Sequence, residues 1–229
     1  MINKVVATAV KLFLRSQVER VEDLQIKITG GNRQILKGYI PEVSLASSCG
    51  VYRGLHLRQI ELQAGNIGFN VKEVLKRKPL RLLEPILVDV TLLLEAADLQ
   101  ASLSSPLLSS GLTDFLYSLL SAKGITNPRE HLTDCRINWE AITLTAQKLN
   151  LLGTVIDVDE KLTTLNITAG ITLANPHTLC LFPLEIVTVP SFSLKDLHQL
   201  EIDLGKDVAI AKLLIEDDKL ICSGKITVK

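Results

Sequence analysis

The sequence has few aromatic residues and no excess of either charge, and these two features reduce the number of functions that it could have. Aromatic side chains make up 4% of the 229 residues, so the apolar content of 47% is mostly aliphatic. Lys and Arg together number 25, as do Asp and Glu, so no basic excess indicates a nucleic-acid partner. An aliphatic core suits an ordinary sandwich or barrel, which we favour from composition alone, and it also suits a lining for flexible acyl chains.

Motifs for catalysis, metal binding and disulfide formation are also missing. No GxSxG, GxGxxG or phosphate-binding loop occurs, and the four histidines form no HxH or HxxxH pair. The cysteines have no CxxC spacing, which indicates buried thiols in a reducing compartment rather than a disulfide framework. They are Cys49, Cys135, Cys180 and Cys222. We therefore expect a protein that is not an enzyme and that holds no metal and no cofactor.

The N-terminal stretch predicts an amphipathic helix over residues 2–17. Apolar residues recur on one side at spacings of three and four, and Lys4, Lys11 and Arg15 lie on the other. Such a helix either lies on an anionic membrane surface or packs on a sheet, and we favour the second interpretation. Its apolar run is too short for a membrane span, and no export signal is seen. We therefore expect a cytoplasmic protein, with a peripheral membrane role allowed, rather than a periplasmic one.

Residues 38–70 predict paired antiparallel strands, and the rest of the chain is organised around them. Apolar residues alternate from Val43 and again from Leu55, which is the pattern of half-buried strands. The alternation changes phase between Leu57 and Ile60, where we expect a β-bulge. The sequence thus predicts a curved antiparallel sheet with apolar content to cover.

The densest positive cluster in the chain follows Asn70, which we expect to cap a short helix with Glu73 as its capping-box partner. The helix should end before Pro79. Each Lys or Arg near an anionic bilayer contributes roughly 1 kcal/mol, so the cluster is a candidate for headgroup or membrane contact. A solvated helix face would have the same pattern. The candidate residues are Lys72, Lys76, Arg77, Lys78 and Arg81.

Two leucine-rich segments are candidates for the wall of an apolar cavity. Residues 87–94 predict a strand that is apolar on both sides, which indicates a position between two layers or beside a cavity. A later helix, ending near Gly124, repeats leucine at helical spacing. That pattern fits a core-facing helix as well as a helix that closes one mouth of a tunnel. The candidate lining residues are Leu92, Leu94, Leu116, Leu119 and Leu120.

From Asp134 onward the sequence predicts almost nothing but strands, separated by turns such as Asn175-Pro176 and Gly205-Lys206. No long helix alternates with the strands, and no linker or repeat divides the chain. The predicted class is α+β, with a long, strongly twisted antiparallel sheet wrapped around few helices. We expect one domain over residues 1–229, which begins with the amphipathic helix.

Three stretches, residues 38–67, 92–108 and 200–228, together carry glycines, strand alternation and, in the second stretch, an AADL turn into a helix. Together they resemble the LmeA-like phospholipid-binding family of bacteria, over roughly residues 20–229. The resemblance implies a tubular lipid-binding barrel, like the domains of the bactericidal/permeability-increasing protein type, in which a twisted sheet encloses an apolar cavity for acyl chains. It brings no catalytic motif that could be carried over to this sequence.

Three functions are compatible with these patterns. The leading hypothesis is non-catalytic phospholipid binding in an apolar tunnel, which would serve lipid carriage or association with a membrane surface. The alternative is a protein-interaction domain with a filled core and no lipid. A lipid-modifying enzyme ranks last, because nucleophile, metal and acid–base motifs are missing. The expected partners are a phospholipid or another acyl lipid and an anionic membrane surface, with no nucleic acid.

Overall fold

The computed structural model describes residues 20, 22–76, 78–145, 147–188 and 197–229. Within them, eleven strands form two antiparallel sheets and five helices occupy the connections. Neither sheet closes on itself. The predicted α+β class, with long antiparallel strands and few helices, is confirmed. The helix predicted for residues 2–17 lies outside the described residues.

Sheet 1 has six strands. Their bounds are β1 Asp23–Thr29, β2 Tyr39–Tyr52, β3 Leu55–Gly68, β4 Ile86–Glu95, β10 Val208–Glu216 and β11 Lys219–Val228. The order across the sheet is β1-β2-β3-β4-β11-β10, so the last two strands of the chain return to pair beside β4.

Sheet 2 is formed by the strands between β4 and β10, paired in chain order. They are β5 Arg136–Thr145, β6 Lys148–Ile156, β7 Leu162–Asn175, β8 Thr178–Thr188 and β9 Leu200–Asp203. Every strand pair in both sheets is antiparallel, as the hairpin turns in the sequence predicted.

Five helices occur among the described residues: α1 Asn32–Leu36, α2 Val71–Val74, α3 Ala96–Ala101, α4 Pro106–Ala122 and α5 Pro128–His131. The longest is α4, which begins where the Ser105 hydroxyl accepts a hydrogen bond from the Leu108 N–H at 3.2 Å. Pro106 follows the cap, at the first helical position that tolerates it. No described helix is long and apolar enough to cross a bilayer.

The main core lies between α4 and the two sheets. Leu116, Leu119 and Leu120 of α4 are at most 2% exposed, so this helix is core-facing. Sheet 2 supplies most of the side chains that pack on it, and sheet 1 adds Leu57, Leu94 and Ile215. The sheet 2 members include Ile142, Leu144, Leu151, Val155, Leu165, Ile167, Ala169, Leu184 and Ile186.

The AADL segment opens α3 and fastens this helix to β3. Arg58 of β3 donates two hydrogen bonds of 3.2 Å to the Asp98 carboxylate and forms an ion pair of 2.9 Å with Glu95. Asp98, the larger influence, and Glu95 raise the pKa of the Arg58 guanidinium. The His56 N–H donates to the Ser102 hydroxyl at 2.8 Å. The segment that carries part of the family resemblance therefore has a structural role.

The two faces of sheet 1 differ sharply in polarity. Directly paired residues of antiparallel strands lie on one face, so the register identifies complete rows across the sheet. Two neighbouring rows are apolar: Ile28, Val43, Ala64, Val88, Ile226 and Val208, and then Ile26, Leu45, Leu62, Val90, Gly224 and Ile210. A row on the reverse face is polar over five strands, with Lys27, Ser44, Gln63, Asp89 and Lys225, and ends at Ala209 on β10.

The phase change predicted between Leu57 and Ile60 is present, since Leu57 belongs to the main core and Ile60 packs against it. The predicted bulge is wrong, because the β2–β3 register keeps one count through this point. Cys49 on the paired strand instead takes a left-handed φ of 49°. A local change of backbone conformation, without an inserted residue, accompanies the change of phase.

A second, smaller core lies at one end of sheet 1. Its buried members come from α1, α2, the adjacent ends of β2 and β3, and the residue directly after β3: Ile35, Ile40, Ile67, Phe69 and Val74. Half-buried side chains around it include Ile28, Val43 and Ala64 of the first apolar row. This smaller core therefore continues directly into the apolar face of the sheet.

Candidate functional site

A groove of about 520 Å³ lies on the apolar face of sheet 1, beside the smaller core. Thirteen of its described lining residues are apolar, and the other two, Arg81 and Lys229, carry positive charge. The apolar ones are Ile40, Val43, Leu45, Leu62, Ala64, Ile67, Phe69, Leu80, Leu82, Ile86, Val88, Ile226 and Val228. The volume is within the range of roughly 300–1,000 Å³ that is usual for small-molecule sites.

The sheet face that forms the floor of the groove is incompletely covered. Val43, Leu45, Leu62 and Ala64 are each half-buried, whereas the side chains of the main core are almost fully buried. Incomplete burial of adjacent aliphatic side chains leaves apolar area whose removal from water is still favourable. Binding of an apolar ligand in the groove would therefore be favourable, because it would remove this area from water.

Asn70 holds the loop that carries Arg81. Its amide accepts a hydrogen bond from the Arg81 N–H at 2.8 Å and donates to the Pro79 carbonyl at 3.0 Å and to the Glu73 carboxylate at 2.9 Å. Asn70 thus occupies the N-cap position of α2, as predicted, but its side chain makes no capping hydrogen bond. The predicted capping box is wrong, because the loop after α2 uses the Asn70 amide instead.

Arg81 lies near one carboxylate, Glu73, and near two other cations, Lys76 and Lys78. The hydrogen bond from Asn70 is the main cause that lowers the pKa of Glu73, and the positive charges of Lys78, Arg81 and Lys76 lower it further. Among the ion pairs within the described part of the chain, none includes Arg81. Its guanidinium is therefore available to a phosphate, which it can bind with two parallel hydrogen bonds.

The second cation of the groove is already paired. Lys229 forms an ion pair of 2.5 Å with Asp207, and the hydrogen bond from Lys229 is the main cause that lowers the pKa of Asp207. A guest that bound Lys229 would have to compete with this carboxylate. Arg81 is therefore the better candidate for an anionic headgroup.

The predicted cations lie at the same end of the molecule as the groove, although only Arg81 lines it. Lys72, Lys76 and Lys78 are exposed on α2 and in the segment after it. Arg77 lies outside the described residues. The structure therefore brings the described members of the cluster to one place without making all of them part of the wall.

The predicted lining leucines lie elsewhere. Leu94, Leu116, Leu119 and Leu120 are buried in the main core, and Leu92 is half-buried against it. None of the five is among the residues that line the groove. Their contact with a lipid stays a prediction.

Sequence reasoning missed most of the groove. Alternation identified Val43, Leu45 and Leu62 as the apolar side of half-buried strands, but it did not indicate that this side would stay partly uncovered. One signal in the sequence could have helped. Polar residues alternate with the apolar ones along these strands, and Ser44, Gln63 and Asp89 form a polar row on the reverse face of the sheet. The sheet therefore has only one apolar face on which another layer or a ligand could pack.

The reverse face of sheet 1 has a depression of similar size but of different chemistry. Its volume is about 500 Å³, and its lining includes Lys27, Ser44, Glu61, Gln63 and Asp89. Polar and charged side chains of this kind do not favour acyl chains. The described residues also contain no group of three or more His, Cys, Asp or Glu side chains that could hold a metal ion.

Comparison with known families shows that the LmeA-like phospholipid-binding family matches residues 1–225. The chain belongs to this family. Comparison with curated proteins and with solved structures gave no match. The resemblance drawn from residues 38–67, 92–108 and 200–228 is thereby confirmed.

Membership indicates lipid binding for this LmeA-like chain, with a phospholipid as the expected class of ligand. The description of the family names a binding activity and no reaction. Among the surfaces described above, the apolar groove of the LmeA-like chain has the chemistry that such a ligand requires.

Proposed function

We propose that this chain binds a phospholipid without chemical conversion, with acyl chains in the groove on sheet 1 and the phosphate beside Arg81. The observation that supports this proposal is the lining itself, in which thirteen apolar residues adjoin two cations. A phospholipid has the same division between an apolar part and an anionic part. The family membership independently supports this class of ligand.

The energetic argument favours the groove over the main core as the place of the acyl chains. Each buried CH₂ contributes about 0.8 kcal/mol, so even part of one chain offers substantial free energy before ordering costs. In the main core, Leu119, Leu144 and Leu165 are 0% exposed and already packed. A guest there would have to displace these contacts, whereas the groove face is only half-buried.

The proposal extends to lipid carriage and to a location at a cytosol-facing membrane surface. A protein that covers the acyl chains in a groove can hold a lipid away from the bilayer. The position of Arg81 at the edge of the apolar lining supports a headgroup that stays near solvent.

The direct experiment extracts the purified protein with organic solvent and identifies the bound lipid by mass spectrometry. The test variant is Ala64→Gln, which places a longer polar side chain in the groove. The matched control is Ala46→Gln, because Ala46 lies on the reverse face of the same sheet, opposite Glu61. We expect stoichiometric phospholipid in the wild type and in the control, and little in Ala64→Gln.

Three results would contradict the proposal. Absence of lipid from the wild type would favour the protein-interaction domain. Equal lipid content in Ala64→Gln and in the wild type would place the lipid outside the groove. Steady turnover of a phospholipid by the purified chain would show that the chain is an enzyme.

A further inference from the structure

Three leucines are exposed at the end of sheet 1 where the smaller core lies. Leu36 at the end of α1 is 39% exposed, Leu75 after α2 is 45% exposed, and Leu83 in the loop to β4 is 67% exposed. Leu80 and Leu82, by contrast, pack against the smaller core. Leu83 is therefore exposed to solvent, whereas Leu80 and Leu82 line the groove.

Two segments distant in sequence form this end. Ile35 of α1 and Val74 of α2 are buried in the same smaller core. Directly after α1, the Gly38 carbonyl accepts a hydrogen bond from the Phe69 N–H at 2.8 Å. Gly38 has φ of +83°, and a Cβ there would lie 2.6 Å from the Phe69 carbonyl oxygen. The two segments therefore meet at one small core; their described residues in 32–38 and 69–84 are called the rim below.

The rim is strongly positive although the whole chain has balanced charge. Six described cations stand against two carboxylates, Glu73 and Glu84. None of these cations forms an ion pair found within the described part of the chain. They are Arg33, Lys37, Lys72, Lys76, Lys78 and Arg81.

We propose that the rim docks on an anionic bilayer, with Leu36, Leu75 and Leu83 entering the headgroup region and the cations contacting lipid phosphates. Exposed apolar side chains surrounded by an excess of cations match a surface that is anionic outside and apolar beneath. This inference rests on the proposed function, in which the groove binds a phospholipid. Leu80, Arg81 and Leu82 of the rim also line that groove, so the docking surface and the groove adjoin. Docking would place the groove where a lipid can leave the bilayer.

The experiment measures co-sedimentation with vesicles of phosphatidylcholine alone and of phosphatidylcholine with phosphatidylserine, at low and high salt. We expect the wild type to bind the anionic vesicles and to lose binding as salt rises, because exposed charges are screened. Reversal of two cations in Lys76→Glu/Lys78→Glu removes two attractions and adds two repulsions, so partitioning into the anionic vesicles should be at least about 30-fold weaker.

The apolar part of the rim is tested by Leu83→Glu. The matched control is Leu162→Glu, because Leu162 is 55% exposed but belongs to sheet 2. We expect Leu83→Glu to reduce binding to anionic vesicles and Leu162→Glu to leave it unchanged. Thermal unfolding of each variant confirms that the fold is intact.

Failure of docking and failure of the groove are distinguishable. Ala64→Gln should lose bound phospholipid and still dock, whereas Leu83→Glu should dock poorly and still take up phospholipid supplied in detergent. The inference is overturned if the wild type ignores anionic vesicles at low salt, which would leave the leucines to a protein partner. It is also overturned if the rim variants bind like the wild type.

Discussion

Asn70 shows how one side chain can place a charge at the groove. Its amide satisfies three groups of α2 and the following loop, so the loop returns to the sheet with Arg81 at the edge of the lining. An asparagine suits this position because one amide supplies donors and an acceptor together. The sequence indicated that Asn70 begins a helix, but the partners of its amide depend on a loop eleven residues further on.

We expect Asn70→Ala to lower the free energy of unfolding by about 0.5–1.5 kcal/mol, because the exposed Arg81 N–H and Pro79 carbonyl exchange the Asn70 amide for water. The variant should also weaken phospholipid binding, since the Arg81 loop is released. Urea unfolding and lipid titration measure the two effects. Asn70→Asp, which keeps an acceptor for the Arg81 N–H, should retain more lipid affinity than Asn70→Ala; the reverse order would contradict this role.

The lowered pKa values of Glu73 and Asp207 make a prediction for acid stability. A carboxyl group whose pKa is lower in the folded state stabilises the fold above its unfolded pKa of about 4, and this contribution is lost as the pH falls through the folded pKa. We therefore expect the two groups to contribute fully at pH 6 and to lose their contribution below about pH 4.

Thermal unfolding across this pH range measures the loss. In Asn70→Ala/Lys229→Met, which removes the main hydrogen-bond donor of each carboxylate, the decrease of Tm toward acid should be smaller than in the wild type. An acid profile parallel to that of the wild type would contradict the assignment.

At the scale of elements, sheet 1 has an irregular edge, because the register between β10 and β11 shifts between Ile210 and Lys212. Gly224 of β11 pairs with Val90 and with Ile210, next to a register shift in β10. A Cβ at Gly224 would overlap the Ala209 carbonyl oxygen. The close approach of β10 and β11 therefore depends on a residue without a side chain.

We expect Gly224→Ala to destabilise the protein by about 1–3 kcal/mol, because the backbones of β10 and β11 must separate. Gly111→Ala is the matched control in the interior of α4, where nothing lies within 4 Å of an added Cβ. There the same substitution should stabilise by about 0.5–1 kcal/mol through helix propensity. Chemical denaturation measures both, and equal signs for the two variants would contradict the argument.

At the scale of the whole molecule, the two sheets differ in how completely their apolar residues are buried. Sheet 2 and α4 supply most of the buried residues of the main core, whereas the apolar face of sheet 1 stays half-buried beside the smaller core. This division separates the residues that stabilise the fold from those that we propose bind the lipid. Substitutions in the two regions should therefore affect different measurements.

We expect Leu119→Ala to lower the free energy of unfolding by about 2–5 kcal/mol, because it leaves a cavity in the main core. Added phospholipid should still raise the Tm of this variant, since a ligand that binds only the folded state stabilises it. Ala64→Gln should show the opposite behaviour, with a small change of stability and no rise of Tm on addition of lipid. Differential scanning calorimetry with and without lipid measures both, and a lipid response lost only in Leu119→Ala would return the binding site to the predicted leucines.

Much of the fold could be predicted because its signals are local. Alternation at Val43 and Leu45, turns such as Gly205-Lys206, and the proline and capping serine before α4 each depend on a few adjacent residues. The cation cluster was identified for the same reason. The groove could not be predicted in this way, since Ala64 and Ile226 become neighbours of Val88 only through the register of three strands.

The sequence alone determined the antiparallel α+β class, the membership of a lipid-binding family and the absence of recognisable catalytic motifs. It also determined which residues are apolar, but apolar residues in a core and apolar residues in a binding groove have the same periodicity. Only the tertiary structure decided which of them are covered: it buried Leu116, Leu119 and Leu120 in the main core and left Leu45 and Leu62 half-covered. The physical reason is that burial depends on which layer packs on each face, and that is a property of contacts between elements distant in sequence.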